Sequence, residues 1–206
     1  MHHRVFLFSF NSNEEALRFV ELLSEHLRGA NIIIDLKGTT VKVRVYGSRS
    51  DIKSTFLKIK DLVTIVKGER GEGLKKYSLR YLLTSSELKA PIPIDLIRDV
   101  LALKEFKVEI KRGYVITDAS LEEVRRTIER ISEIYSELRS VRASPRAKKV
   151  IALMSSLTEL SVGEALKVLL DNGVIRTVEG AGTYALTCKY EVVLEVVRKL
   201  LKEMLK

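Results

Sequence analysis

The chain has 206 residues, enough for two or three small domains with modest cores, and its 36 Lys and Arg against 27 Asp and Glu leave a formal net charge of +9. An apolar share of 46% with no run near the roughly 18 residues of a membrane span describes a globular chain without a membrane partner, and the short segment 5–10 (VFLFSF) has neither the length nor the cleavage pattern of a signal sequence. One cysteine, Cys188, excludes an internal disulfide and a cysteine-built zinc site, so a reducing cytoplasm is the expected location.

Residues 4–10 set Phe6, Phe8 and Phe10 against Val5 and Leu7. Both faces are apolar, which predicts a central strand with its aromatics in the core; a base-stacking platform is the alternative use for them. Residues 13–28 predict a helix with Leu17, Val20, Leu23 and Leu27 inward and Gly29 as its cap. Strands over 32–36 and 40–46 form a hairpin across Lys37-Gly38. Residues 50–67 predict a long amphipathic helix with Ile52, Phe56, Ile59, Val63 and Val66 on one stripe. The run 68–73 (GERGEG) reads as a charged linker and closes a first module, 1–73.

A second module, 74–142, opens on a short helix over 77–83, turns at Pro91 and Pro93, and continues as a helix over 94–103. A hairpin across Arg112-Gly113 follows, then a helix over 121–138 capped by Asp118 or Ser120. The third module, 143–206, places a helix over 148–157 before the most legible stretch of the chain. There Ser161 and Glu164 form a capping box, and Val162, Ala165, Leu166, Leu169 and Leu170 recur at helical spacing. Asn172-Gly173 ends that helix, and strands over 174–178 and 183–187 flank a turn loosened by Gly180 and Gly182. A helix over 191–205 carries Val192, Val193, Val196, Val197, Leu200, Leu201, Met204 and Leu205 on a broad apolar stripe, usable for packing on its own module or for homodimerisation. Modules two and three align as a duplication, Ile94 with Val162 and Leu101 with Leu169, then Tyr114-Val115-Ile116-Thr117 with Tyr184-Ala185-Leu186-Thr187 after a small insertion. The expected fold class is α+β, in three small helix–hairpin–helix modules.

The excess charge is concentrated: residues 37–76 hold 11 Lys and Arg against 4 Asp and Glu. On the strand over 41–46, Lys42, Arg44 and Tyr46 share the face opposite Val41, Val43 and Val45. On the next helix Arg49, Lys53, Lys60 and Lys67 fall at steps of four, seven and seven, a single stripe. Cations aligned in this way neutralise successive phosphates and release counterions, and Tyr46 can stack on a base. The competing use is a strand edge protected by charge, with lysine stems covering the core rim. A second basic run, Arg139, Arg142, Arg146, Lys148 and Lys149 with no acid, reads as a phosphate clamp or a solvated connection entering a helix. The helices that begin at Ile94 and Val162 expose Asp95, Arg98 and Asp99, and Glu164, Lys167 and Asp171, a poor charge pattern for a major groove.

No GxxxxGK[ST] phosphate loop and no serine in a nucleophile elbow occur. His2 and His3 alone make no metal site, His26 reads as a surface or capping residue, and Cys188 as half-buried. The expectation is a non-catalytic protein without cofactor or metal, binding an RNA or DNA backbone, RNA or a ribonucleoprotein in preference to sequence-specific DNA. A protein-interaction adaptor or homodimeric scaffold is the alternative.

Three resemblances accompany these residues. Helix, turn, helix and hairpin over 148–187 resemble the winged-helix pattern of nucleic-acid-binding domains, and residues 74–142 resemble it again. Gly68-Glu69-Arg70-Gly71 is similar to the GxxG loop of KH domains, although Glu69 puts an acid where a phosphate would approach. The absence of Gln and Trp, the abundance of Lys, Arg and Glu, and the alternating modules resemble an uncharacterised archaeal family carrying a domain of unknown function. The composition is the bias expected of a hyperthermophile; the family resemblance carries no motif and implies no activity.

Overall fold

In a computed structural model, which describes residues 2–69, 73–158, 160–178, 180 and 182–204, the chain is an α+β protein. It forms two compact units, Met1–Ser85 with Lys111–Leu121 and Ser86–Ile110 with Glu122–Lys206. These differ from the three expected modules.

The first unit begins β1 (His2–Ser9), α1 (Asn13–His26), β2 (Ile32–Lys37), β3 (Thr40–Gly47) and α2 (Arg49–Glu69). β3 lies between antiparallel neighbours in the order β1-β3-β2. Its alternation is the clearest in the chain: Val41, Val43 and Val45 are at most 1% exposed, while Lys42, Arg44 and Tyr46 take the other face. α1 and α2 pack on the valine face. A two-residue turn joins β2 to β3, with Gly38 at φ 56° in its first position, where a side chain would be strained.

β1 is therefore an edge strand and not a central one. Phe6, Phe8 and Phe10 turn to the helices; Val5 and Leu7 remain 42% and 68% exposed on the opposite face. A strand with two apolar faces asks for two covers, and within this unit only one is supplied. The inward face of α1 also differs from the expected stripe. Ala16, Phe19, Leu22, Leu23 and Leu27 are buried, whereas Leu17 is half exposed. Phe19 sets the register, meeting Phe8 edge-on at 5.4 Å between ring centroids and Phe10 at 4.9 Å.

Ser48 and Asp51 start α2 reciprocally. The Ser48 hydroxyl accepts from the Asp51 amide (3.2 Å), and the Asp51 carboxylate accepts from the Ser48 amide (3.0 Å). The Ser48 hydroxyl also donates to the Asp51 carboxylate (2.6 Å), and this bond first, with the Ser48 amide next, holds the Asp51 carboxyl below its ordinary pKa. α2 buries Ile52, Ile59, Leu62, Ile65 and Val66 and continues through Gly68 and Glu69, so these two are helical. Residues 70–72 of the proposed linker, which include the end of the KH-like loop, lie outside the described residues.

Residues 75–78 form a strand, β4 (Lys75–Ser78), where a helix was expected from Tyr77. Four residues are too few for periodicity to separate the two. Tyr77 is fully buried and its hydroxyl donates to the Ala119 carbonyl (3.2 Å). α3 (Leu79–Ser85), α4 (Ile94–Leu103), β5 (Val108–Lys111), β6 (Tyr114–Thr117) and α5 (Leu121–Glu137) follow. β6 pairs antiparallel with β4, which draws residues 111–121 into the first unit.

The second unit contains α4, most of α5, then α6 (Pro145–Leu157), α7 (Val162–Asp171), β7 (Ile175–Val178), β8 (Thr183–Leu186) and α8 (Tyr190–Met204). α6 is its centre. Val150, Ile151, Ala152, Leu153 and Met154 are all buried, and the helix contacts α4, α7 and α8. Ser144 caps it and Pro145 sits in its first turn, so the helix begins earlier than expected and takes up Arg146, Lys148 and Lys149 of the second basic run. The capping box of Ser161 and Glu164 is present. α8 buries Val193, Val197 and Leu201 within this unit and leaves Val192 47% exposed; Leu205 and the Met204 side chain lie outside the described residues.

α4 and α7 end in the same turn. Phe106 and Glu105 amides donate to the Leu101 and Ala102 carbonyls (3.1 Å each), and Val174 and Gly173 amides to those of Leu169 and Leu170 (2.9 Å each). Glu105 occupies the left-handed position at φ 68° that Gly173 holds at 65°. Glu105→Gly is expected to raise stability by about 0.5–1 kcal/mol, the relief of the left-handed strain less the added freedom of the unfolded chain. The midpoint of urea unfolding should rise without a change in slope.

Candidate nucleic-acid interface

The open face of the first sheet is fixed by strand register. His3 lies beside Tyr46, Val5 beside Arg44 and Leu7 beside Lys42, with Ile33 and Asp35 completing the rows on β2. Lys42 is exposed. Arg44 donates to the Asp35 carboxylate at 2.9 Å across the strands, an exposed pair worth about 0–1 kcal/mol. The Tyr46 ring stands 5.5 Å from the His3 ring, tilted by 30°. Phe6, Phe8 and Phe10 are not on this face, so it is no aromatic platform.

Arg49, Lys53 and Lys60 lie on the other side of β1. β1 is an edge, so α2 runs beside an open main chain, and between the two is a cavity of about 500 Å³ lined by His2, His3, Arg4, Phe6, Arg49, Ile52, Lys53 and Phe56. Among the described residues no carboxylate lines it. Phe6 and Phe56 stack at 4.3 Å with 15° between their planes. The Arg4 guanidinium lies 5.6 Å from the Phe6 ring and the Lys60 ammonium 5.3 Å from that of Phe56. Lys67, last on the stripe, reaches to 5.9 Å from Phe10. His3 joins the two groups of expected residues: it meets Tyr46 on the open face and lines the cavity with Arg49 and Lys53.

One turn further along α2, a second cavity of about 540 Å³ is lined by Phe8, Leu57 and Lys60, and by Arg80, Arg112 and Tyr114 among others. Here an acid is present: Asp61, largely buried, accepts from Arg80 at 2.6 Å. The Lys76 ammonium sits 4.1 Å above the Tyr114 ring.

The second basic run has been divided. Arg142 and Arg146 are exposed, although the main chain around Arg142 is pinned: its carbonyl accepts from Tyr184 (2.9 Å), and Ser144 donates to the Tyr184 carbonyl (2.8 Å). Lys148 donates to the Leu138 carbonyl at 2.7 Å. Lys149 is 14% exposed, pairs with Asp95, approaches Asp99 at 3.7 Å and lies 4.3 Å from the Tyr190 ring. Both ammonium groups are used inside the unit. Asp99, expected on the surface, is buried and accepts from Arg98 and from the Tyr190 hydroxyl. Burial first, and Asp99 next, push the Tyr190 hydroxyl well above the usual tyrosine range. On α7, Glu164, Lys167 and Asp171 are exposed as expected.

Sequence reasoning missed His2, His3, Arg4, Phe6 and Phe56 as neighbours of the cations. The available signal was Arg4 at the head of an aromatic alternation; the missing one was that this strand lies at an edge. His26, half-buried, has its Nε2 3.0 Å from the Tyr81 hydroxyl, and Cys188 is exposed where half-burial was expected. Among the described residues no group of three His, Cys, Asp or Glu is placed to hold a metal ion, and no helix is long and apolar enough to cross a membrane.

These features define an α+β protein in which Arg4, Arg49, Lys53 and Lys60 lie along one sheet edge and the helix beside it. The chain belongs to the family described as an uncharacterized protein conserved in archaea (DUF2067), which it matches over residues 8–195. No curated protein matches it.

Proposed function

We propose that this is a non-catalytic nucleic-acid-binding protein that holds a phosphate backbone, of RNA or a ribonucleoprotein in preference to sequence-specific DNA. The observation that carries the reading is the cavity in which Arg4, Arg49 and Lys53 converge with no carboxylate among the described residues that line it, and whose His3 meets Tyr46. Cations without acidic partners keep their charge available for phosphate. Arg44, held by Asp35, contributes less, and Arg142 and Arg146 offer a separate contact on their own unit. The succession α6, α7, β7, β8, α8 supports a winged-helix-like reading of residues 143–206, but the acids on α7 disfavour its entry into a major groove.

If four cations engage a single strand, affinity should fall roughly 50-fold between 50 and 200 mM salt. Arg49→Glu with Lys53→Glu should weaken binding and flatten the slope of log affinity against log salt by about 1.4. Fluorescence anisotropy across a salt series measures both, and a flat response from the unaltered chain would overturn the reading. The alternative, a protein-interaction adaptor or homodimer, is favoured by one observation: Val5, Leu7 and Ile33 are exposed together on the open sheet face. A solution dimer that Leu7→Glu converts to monomer would support it.

A further inference from the structure

We infer that the nucleic acid is single-stranded and lies lengthwise in the trough between β1 and α2, its bases stacked on the rings that line it. This rests on the nucleic-acid reading above. Phe6 and Phe8 are alternate residues of β1, and Phe56, Leu57 and Lys60 fall within about one turn of α2, so the two cavities follow one another along the same strand and helix. From Arg49 to Lys60 the helix advances about 16 Å.

Along that path rings and cations alternate. Tyr46 with His3 comes first, then Arg4, Phe6, Phe56 and Lys60, then Tyr114 under Lys76. Phe6 and Phe56 are half-buried, so the pair keeps open ring surface. Rings interleaved with cations suit a strand whose bases are free to stack; a duplex hides its base faces and would meet the cations alone. The cations, moreover, line concave cavities about the size of a small-ligand pocket, into which the broad cylinder of a duplex does not descend.

The strand itself adds a third element. The Phe10 amide donates to the Thr39 carbonyl, which makes the even residues of β1 the ones bonded to β3. The main-chain N–H and C=O groups of His3, Val5, Leu7 and Ser9 therefore point away from β3, outward from the strand edge that borders the trough. Such groups match base edges, which carry both donors and acceptors, better than they match phosphates, which only accept.

The test uses the full chain, a fluorescein-labelled oligouridine of ten nucleotides and a ten-base-pair RNA duplex, in 50 mM salt. The oligouridine should bind at least tenfold more tightly. Phe56→Leu, which keeps apolar volume and removes the ring, should weaken oligouridine binding roughly tenfold and leave the duplex unchanged, with an unaltered circular dichroism spectrum. Tyr46→Leu, on the open face and outside the core, should do the same more weakly. Equal affinity for the duplex, indifference to both substitutions, or displacement of the oligouridine by an equally charged oligoglutamate would overturn the inference and leave a site that reads charge alone. Failure of both RNAs to bind would instead overturn the nucleic-acid reading beneath it.

Discussion

Phe19→Ala is expected to cost about 4 kcal/mol, which by itself removes a large part of the 5–15 kcal/mol typical of a domain. Phe19 has no exposed surface and stands against Phe8 and Phe10, so truncation leaves a cavity bordered by two rings that cannot both collapse into it. It also removes two aromatic contacts worth about 0.5–1.5 kcal/mol each beyond the area they bury. Urea unfolding followed by circular dichroism should show an earlier midpoint for the first unit. Leu17→Ala, on the half-exposed side of the same helix, should move it by no more than about 0.5 kcal/mol. Equal effects would mean that α1 turns its other face inward. The consequence reaches the trough: Phe8 and Phe10 brace the strand that carries Arg4 and Phe6, so the variant should also lose any RNA affinity seated there.

That pair of residues illustrates what the sequence revealed and what it withheld. Spacing alone made Leu17, Val20, Leu23 and Leu27 as good a stripe as Ala16, Phe19, Leu23 and Leu27. The choice fell to ring size and to what the sheet presents, which is tertiary. Signals written in neighbouring residues were legible: the Ser161–Glu164 capping box, the Asn172-Gly173 stop, and the alternation of Val41, Val43 and Val45 with Lys42, Arg44 and Tyr46. Strand order was not, because period two tells which residues share a face and nothing about which strand lies alongside. β1 therefore read as central, and β4, with four residues, as part of a helix.

The candidate site divided along the same line. The helical stripe of Arg49, Lys53 and Lys60 follows from steps of four and seven, and these side chains do lie along one side of α2. Their aromatic companions depend on an antiparallel pairing across some 40 residues of chain, which fixes where Arg4 and Phe6 fall. Charge counts were least informative where partners are distant. Arg139 to Lys149 contains no acid, yet its last lysine is neutralised by Asp95, 54 residues away, a separation at which no local rule operates.

Asp99→Ala should lower the stability of the second unit by about 3 kcal/mol, the lower end of the range for breaking a buried charged pair. The Asp99 side chain is 5% exposed and accepts from Arg98 Nε (3.0 Å), Arg98 Nη2 (2.8 Å) and the Tyr190 hydroxyl (2.7 Å). Arg98 is half exposed and returns to water, which limits the cost. Tyr190 loses its acceptor in a partly buried place, and Lys149 keeps only Asp95 and the Tyr190 ring. Alkaline titration of tyrosine absorbance should show the Tyr190 transition moving down towards the ordinary range, though not reaching it, because burial remains the larger cause. Lys149→Ala then separates two uses of one residue. A lysine whose ammonium serves Asp95 and Asp99 should cost stability when removed and leave RNA affinity and its salt slope untouched, whereas a phosphate contact would reduce that slope by about 0.7. A reduced slope in Lys149→Ala would return the second basic run to the binding surface and enlarge it beyond the trough.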